Sequence, residues 1–558
     1  MSPGFRLSRA RQLSLLRGRC AINSDSRLGF YLRGLESLSG LAAFLADRHE
    51  HKVAVRVYRD QLTFGDLERY SISVGNWMID RLAIAPGTRI IIHLPNSVHY
   101  PVALMAAWRT GMIPVCLSPS AGIEEIDRAA KSSGASVIIT EAKSPVLLDL
   151  SRRRKKTLQT VSCSEEDFSY WFLRPIKRFF RHLKTPRRRL AEFKFRDGLD
   201  YRALNPRRIA QTPIHDVALV QSTSGTTGTP KGVKLTHANL LANMRQLSVA
   251  LEMMGLEGRQ RLLQPLPIYH SYPMMMCLTT WAQGGSVEMV SDVKDINQIA
   301  ELFDRVRPTL FAGISPVFIG LMQHPLFSQL DFSALKCTLS GGAPLKQYIA
   351  DKWQSITGNV ISQGYGLTEC SPVVTLDISG QFRDGIVGTP LPLTEIEVRD
   401  DEGNPLPIGS AGQIYVRGPQ VMRGYCSYVE HSAEISSDAW LATGDIGRFE
   451  EQGVLRMIER QTDVIHLGGF KVYPSAIEAL VAEHPDILDV AVCAYEEEGE
   501  TKLRLYAVTN NRRLTQKMIR EYCRQRLTSY KVPERIELRQ SLPHTPVGKV
   551  LRHELCEA

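Results

Sequence analysis

The sequence predicts an α/β protein: a large N-terminal domain of layered α/β sheets with a β subdomain, then a small α+β C-terminal domain. Three observations carry this. From about Leu41, short apolar runs with strand character alternate with longer helical ones, the pattern of layered sheets with mostly parallel strands. After Gly388 the pattern changes to period two between Gly/Pro/Asp turns, which marks antiparallel strands with one solvated face. Beyond Arg460 a third segment mixes two apolar strands with one helix. The divisions expected are a basic extension over 1–38, a large domain over 39–459 with its β subdomain from about 388, and a small domain over 460–558.

The elements follow in order. Ser39-Gly-Leu-Ala-Ala-Phe-Leu-Ala reads as an amphipathic helix, Arg89-Ile-Ile-Ile-His-Leu as a buried strand, and Pro101-Val-Ala-Leu-Met-Ala-Ala-Trp as a helix. Ala135-Ser-Val-Ile-Ile-Thr and Val217-Ala-Leu-Val are further strands. Glu395-Ile-Glu-Val-Arg and Gly412-Gln-Ile-Tyr-Val-Arg alternate polar and apolar residues, as half-buried strands do. In the tail, Val490-Ala-Val-Cys-Ala and Leu503-Arg-Leu-Tyr-Ala-Val are strands and Thr515 to Leu527 is a helix.

Composition narrows the class. The 558 residues allow three or four domain-sized units, and 43% hydrophobic content supplies buried cores. No run approaches the length of apolar sequence that spans a bilayer, so no integral membrane span is expected. Ten scattered cysteines without a C-x-x-C pair fit reduced thiols in a cytoplasmic protein better than a disulfide framework or a zinc site. The net charge of +10 is concentrated: residues 151–210 hold 18 Lys/Arg against 6 Asp/Glu, leaving the rest near neutral. Within this insert, Phe168 to Ala191 has no acidic residue. After Pro175, Ile176, Phe179, Phe180 and Leu183 form an apolar stripe flanked by Lys177, Arg178, Arg181 and Lys184. Such a helix either lies on the inner, anionic face of a membrane as a peripheral contact or packs on its own domain. Nucleic acid is not expected, because no reading motif accompanies the charge. Arg6, Arg9, Arg11, Arg17 and Arg19 precede the first acid, Asp25, as in a transit peptide or an ordinary basic terminus.

The chemistry-bearing residues begin at Ser222-Thr-Ser-Gly-Thr-Thr-Gly-Thr-Pro-Lys231-Gly232, directly after an apolar strand. Uncovered backbone N–H groups, hydroxyls and a mobile ammonium suit a nucleotide's phosphates, although the G-x-x-x-x-G-K-[ST] spacing of the common NTPase loop is absent. Ser340-Gly-Gly-Ala-Pro-Leu345 leaves room for a planar ring against the backbone. Gln363-Gly-Tyr-Gly-Leu-Thr-Glu369 offers an aromatic for stacking, a hydroxyl, and a carboxylate for Mg²⁺. Thr443-Gly-Asp445 places a carboxylate in a turn, and Pro543-His-Thr-Pro-Val-Gly-Lys549 presents a lysine beside a glycine.

In this order and spacing the set resembles the adenylate-forming, acyl-activating superfamily from about residue 40 to the end. Tyr365-Gly-Leu-Thr-Glu-Cys-Ser-Pro372, Gly418-Pro-Gln-Val-Met-Arg-Gly-Tyr425 and Leu527-Thr-Ser-Tyr-Lys-Val-Pro533 are most similar to bacterial long-chain fatty acid–CoA ligases. The resemblance implies ATP, Mg²⁺ and CoA, and a two-step reaction. A carboxylate attacks the α-phosphorus of ATP to give acyl-AMP and pyrophosphate, and the CoA thiol then takes the acyl group and releases AMP. It also implies residue roles. Ser222, Thr223, Gly225, Thr226, Thr227 and Lys231 would hold the β- and γ-phosphates, and Thr368 the α-phosphate. Glu369 and Thr226 would hold Mg²⁺. Gly341, Gly342, Ala343, Gln363, Gly364, Tyr365 and Gly366 would line the adenine site, with Asp445 and Arg460 on the ribose. Lys549 would bridge carboxylate and α-phosphate, making Lys549, Thr368 and Glu369 the catalytic set. The small domain would be mobile, turning at Gln461-Thr462-Asp463 to bring Gly468, Gly469 and Lys471 to the CoA channel. The family carries Asp or Lys at the position of Thr462; threonine's β-branch stiffens a hinge and bears on thiol transfer more than on adenylation.

Pro265-Leu-Pro-Ile-Tyr-His270-Ser-Tyr-Pro-Met-Met-Met276 is expected to wall the acyl pocket, with His270, Tyr272 and Met274 facing it. No aspartate lies between Arg261 and Glu288 to pair with an amino acid's ammonium, so the acyl tail reads as uncharged, a medium- or long-chain fatty acid. His270 reads as a wall or gate, because a carboxylate already ionised at pH 7 needs no base. Three alternatives stand beside this reading: transfer to an acidic acyl carrier protein instead of CoA, an aryl-acid substrate, and a weakened fold acting as a fatty-acid-responsive regulator. Filled positions at Lys549, Glu369 and Asp445 weigh against the last.

Overall fold

The computed structural model describes residues 32–152, 158–168, 191–202, 209–223, 231–426, 435–436, 438–467, 470–497, 500–543 and 550–556. The expected basic helix after Pro175, the extension before residue 32, and Gly225, Thr226, Thr227, Gly468, Gly469 and Lys549 lie outside these residues.

Two large sheets build the N-terminal unit. The first has eight strands, in the order 424–426, 231–236, 217–223, 113–116, 89–93, 137–141, 159–163 and 193–194. From 217–223 outward to 193–194 every pairing is parallel. The central strands are continuous apolar runs because helices cover both faces. Helix His99–Arg109 is the extreme case, with every residue buried, and Trp108 donates its indole N–H to the Ala218 carbonyl at 2.7 Å. Helix Phe64–Leu82 starts with a reciprocal cap between Thr63 and Asp66. Helix His237–Met253 does the same with Thr236 and Asn239, and the buried His237 ring accepts from the Leu38 amide at 3.2 Å. Burial pushes the His237 imidazole down to about 4.

The second sheet has thirteen strands. Its parallel centre runs through 361–366, 337–341, 310–313, 261–264, 286–289 and 53–57. At 361–366 the sheet changes to antiparallel, and 373–376, 386–390, 455–460, 441–449, 412–417 and 395–399 extend it. The period-two strands are thus hydrogen-bonded onto the edge of the α/β sheet. A second core fills the face of its parallel part, built on Phe303, Phe311, Phe318, Phe327 and Trp353, with Phe311 stacked on Trp353 at 5.7 Å.

The tail has its own core. Strands Asp489–Glu497 and Glu500–Val508 form a hairpin, and Arg535–Arg539 joins in parallel beneath helices Pro474–Ala482 and Gln516–Arg524. Helix Gln516–Arg524 is shorter than its sequence pattern; at its start Thr515 is the cap, accepting from the Met518 amide at 3.3 Å. Arg460, expected to open the tail, is the last residue of strand Leu455–Arg460 and lies opposite Asp445. No helix of the described residues is long and apolar enough to cross a membrane.

Candidate active site

The described site residues gather where parallel strands of both sheets end, the position at which open α/β sheets bind ligands. On the phosphate side, strands Val217–Thr223 and Lys231–Thr236 form an antiparallel pair with Ser222 opposite Gly232 and Thr223 opposite Lys231. The Thr223 hydroxyl donates to the Lys231 carbonyl at 3.2 Å, fixing the mouth of the loop. Strand Gly424–Cys426 pairs on the far side of Lys231–Thr236, and the Lys231 ammonium lies 5.3 Å from the centre of the Tyr425 ring. The Tyr425 hydroxyl donates to Glu369 Oε1 at 2.9 Å.

The nucleoside side rests on glycines. Gly341 and Gly364 lie opposite each other on adjacent strands, and a Cβ on Gly341 would stand 3.5 Å from the Tyr272 ring. Gly366 is obligatory for another reason: a Cβ there would lie 2.0 Å from the Pro372 carbonyl oxygen. Gly342 follows with φ +84°, and the half-buried Ala343 continues the turn. Gln363 uses its whole amide as a brace, donating to the Ile386 carbonyl at 3.0 Å and accepting from the Leu345 amide at 3.4 Å. Tyr365, Asp445 and Arg460 form one chain. The tyrosine hydroxyl donates to Asp445 Oδ2 at 2.6 Å, and Arg460 Nε lies 2.8 Å from Oδ1. Asp445 is buried, which is tolerated because both oxygens are paired. Burial, then the Asp445 charge, holds the Tyr365 phenol far above its ordinary range.

The acyl side differs. Residues 265–270 lead into helix Ser271–Ala282, and buried Asn96 holds this segment from below. Its side chain donates to the carbonyls of Leu266 (3.1 Å) and Val290 (2.7 Å) and accepts from the Ile268 amide at 2.7 Å. Ser271 Oγ lies 3.1 Å from Thr368 Oγ1, joining the acyl wall to the turn that carries Glu369. Burial pushes the His270 imidazole down to about 4, so it is neutral at pH 7 and suits a wall rather than a proton carrier. Tyr272 packs between the two cores with its ring 3.5 Å from where a Cβ on Gly341 would stand. Its buried hydroxyl has no partner among the described residues. Met274, Met275 and Met276 are all buried in the main core.

Below the site the chain turns through Gln461–Asp463, where Thr462 Oγ1 donates to Asp463 Oδ1 at 3.1 Å. Arg552, three residues beyond Lys549, pairs with Asp463 and in two-pronged fashion with Glu478 at 2.8 and 3.0 Å. Lys471 lies opposite His466 in the following hairpin. Asn96 is not singled out by motif reading, and Tyr425 enters only as the last residue of the family-like stretch 418–425, with no role. Each makes its contacts with partners distant in sequence.

Among the described residues no three His, Cys, Asp or Glu side chains could hold a metal by themselves. Glu369 has one carboxylate oxygen engaged by Tyr425 and the other without a hydrogen-bond partner among those residues. That single free carboxylate oxygen fits Mg²⁺, which takes one or two protein carboxylates and completes its shell from phosphates and water.

Residues 44–426 match the model of the AMP-binding enzyme family, and residues 476–549 match its C-terminal domain. The chain belongs to this adenylate-forming family of ATP-dependent ligases. It is 33% identical over 506 residues to a long-chain-fatty-acid–CoA ligase of Yersinia pestis, covering 88% of this chain and 89% of the relative. A long-chain-fatty-acid–CoA ligase of Escherichia coli is 33% identical over 535 residues, covering 92% and 94%. The fold is shared with an anthranilate–CoA ligase in complex with anthranoyl-AMP, at a TM-score of 0.81 and 22% identity, covering 93% of this chain and 96% of that one.

Proposed function

We propose that the protein activates a medium- or long-chain fatty acid with ATP to acyl-AMP and pyrophosphate, then transfers the acyl group to CoA with release of AMP. The observation that carries this is identity of about one third, over about nine tenths of the chain, to long-chain-fatty-acid–CoA ligases. The uncharged acyl wall, with His270 neutral, supports it.

The attack crowds negative charge onto phosphorus, so these residues act by placement and by cationic stabilisation. Lys231, Ser222 and Thr223, with Gly225, Thr226 and Thr227, hold the β- and γ-phosphates. Glu369 and Thr226 would hold Mg²⁺, which would supply charge neutralisation at the phosphates. The Gly341–Gly364 groove and Tyr365 accept adenine. The Asp445–Arg460 pair anchors the ribose, and Thr368 contacts the α-phosphate beside Ser271. Lys549 neutralises the carboxylate and α-phosphate oxygens as they meet. Gly468, Gly469 and Lys471 line the path of the thiol once the small domain turns at Thr462. The basic insert is read as the contact through which the enzyme meets lipid surfaces.

The test is release of pyrophosphate and AMP with C8 to C18 acids, with and without CoA. AMP release that requires both fatty acid and CoA is the expected result. Acyl-AMP that accumulates and ignores CoA would point to a carrier-protein acceptor. Lys549→Ala is expected to lower adenylation by about 10²–10³-fold while ATP still binds; unchanged turnover would remove the mechanism.

A further inference from the structure

We infer that Tyr425 is a positioning residue of the phosphate site, setting the Glu369 carboxylate with its hydroxyl and the Lys231 ammonium with its ring. The inference rests on the assignment of this site to ATP, and adds a residue outside the phosphate- and metal-binding set proposed above.

Residues 418–426 run as a strap between the two large sheets. On one side the strap grips the turn that carries Glu369: Ser371 Oγ donates to the Gln420 carbonyl at 2.8 Å, and the Met422 amide donates to the Glu369 carbonyl at 2.8 Å. On the other side it becomes a strand. The Arg423 amide donates to the Lys234 carbonyl at 3.0 Å, and Tyr425 and Cys426 lie opposite Val233 and Gly232. Side-chain alternation then puts Lys231, Val233 and Tyr425 on one face of the pair. Gly424 precedes the tyrosine with φ +141°, a conformation that turns the strap from one sheet to the other and that side-chain-bearing residues avoid.

Tyr425 therefore touches both charged groups of the phosphate site. Its hydroxyl takes one lone-pair direction of Glu369 Oε1, which fixes the carboxylate rotamer and leaves Oε2 without a partner among the described residues. Its ring supports the Lys231 ammonium from the face that attracts cations. A long glutamate and a long lysine each hold many rotamers in isolation. One tyrosine restricts both, at a site where their charges must meet the same polyphosphate.

The experiment compares wild type, Tyr425→Phe and Tyr425→Leu as full-length chains. Mn²⁺ binding in the presence of ATP is followed by electron paramagnetic resonance, and KM is measured separately for ATP and for the fatty acid. Tyr425→Phe is expected to weaken Mn²⁺ binding and raise the ATP KM, each about tenfold, with the fatty-acid KM and melting temperature unchanged. Tyr425→Leu should raise the ATP KM several-fold further, because the ring under Lys231 is gone. In a cycle with Glu369→Gln, the phenylalanine change should add less than about twofold. Wild-type Mn²⁺ binding and ATP KM in Tyr425→Phe would overturn the inference, as would an equal rise in both KM values, the mark of a general packing role. Failure of the wild type to release pyrophosphate with any fatty acid would count against the proposed substrate alone, since Mn²⁺–ATP binding still reads Tyr425.

Discussion

The two sides of the candidate site treat their buried polar groups in opposite ways. On the nucleoside side Tyr365, Asp445 and Arg460 satisfy one another, and the carboxylate is buried only because both oxygens are paired. On the acyl side the Tyr272 hydroxyl is buried without a partner among the described residues. The first surface is finished before any ligand arrives. The second leaves a buried hydroxyl that can donate. Under the proposed function, nucleotide recognition rests on groups already paired, and acyl recognition rests on shape.

The strongest way to break this contrast is Asp445→Ala. It leaves the Arg460 guanidinium and the Tyr365 hydroxyl unpaired, and a loss of about 3–5 kcal/mol is expected. ATP affinity by calorimetry should fall by at least about 100-fold; a change below tenfold would mean the chain is not essential to the nucleoside surface. Acid stability comes next. Burial lowers both His270 and His237 to about 4, against about 6.5 unfolded. The unfolded chain therefore binds more protons between those values, so this stability is complete above pH 6.5 and is lost as pH falls toward 4. Each histidine contributes up to about 3 kcal/mol. His270→Phe should flatten the pH dependence of chemical denaturation in that window, and the profile of adenylation rate between pH 6 and 8 should keep its wild-type shape.

Tyr365→Phe removes one hydrogen bond to a charged acceptor and is expected to cost about 1.5–3 kcal/mol, read as a raised ATP KM with the fatty-acid KM unchanged. The smallest effect sharpens the contrast most. Tyr272→Phe should leave the melting temperature of the free protein unchanged or slightly raised, because the hydroxyl it removes has no partner to lose. A clear drop in stability would show that the two sides are alike.

Much of the fold was legible because its strands obey local rules. The apolar runs at 89–93 and 137–141 announce burial on both faces, and 395–399 and 412–417 announce one wet face. The glycine turns were legible too, since Gly342 takes φ +84° and Gly366 has no room for a Cβ beside the Pro372 carbonyl oxygen. Illegible were the partnerships that join distant segments. Asn96 grips the acyl wall across more than 160 residues, and Tyr425 reaches Glu369 across 56. Period and propensity carry no record of which strand edge a strap will find; packing of the two sheets decides it. Arg460 marks the same limit. A boundary drawn by texture fell at that residue, whereas its pairing with Asp445 holds it in the preceding strand.

That pairing has a bearing on how relatives of this fold can be recombined. Segment 461–463 begins one residue after the guanidinium that neutralises Asp445, so under the proposed function the ribose anchor and the pivot of the small domain are one piece of masonry. A chimera joined before Arg460 would import a foreign counter-ion into the nucleotide pocket along with its new tail. A junction placed after Asp463, with the Arg552 partner matched to it, would exchange the tail and leave the pocket's walls standing.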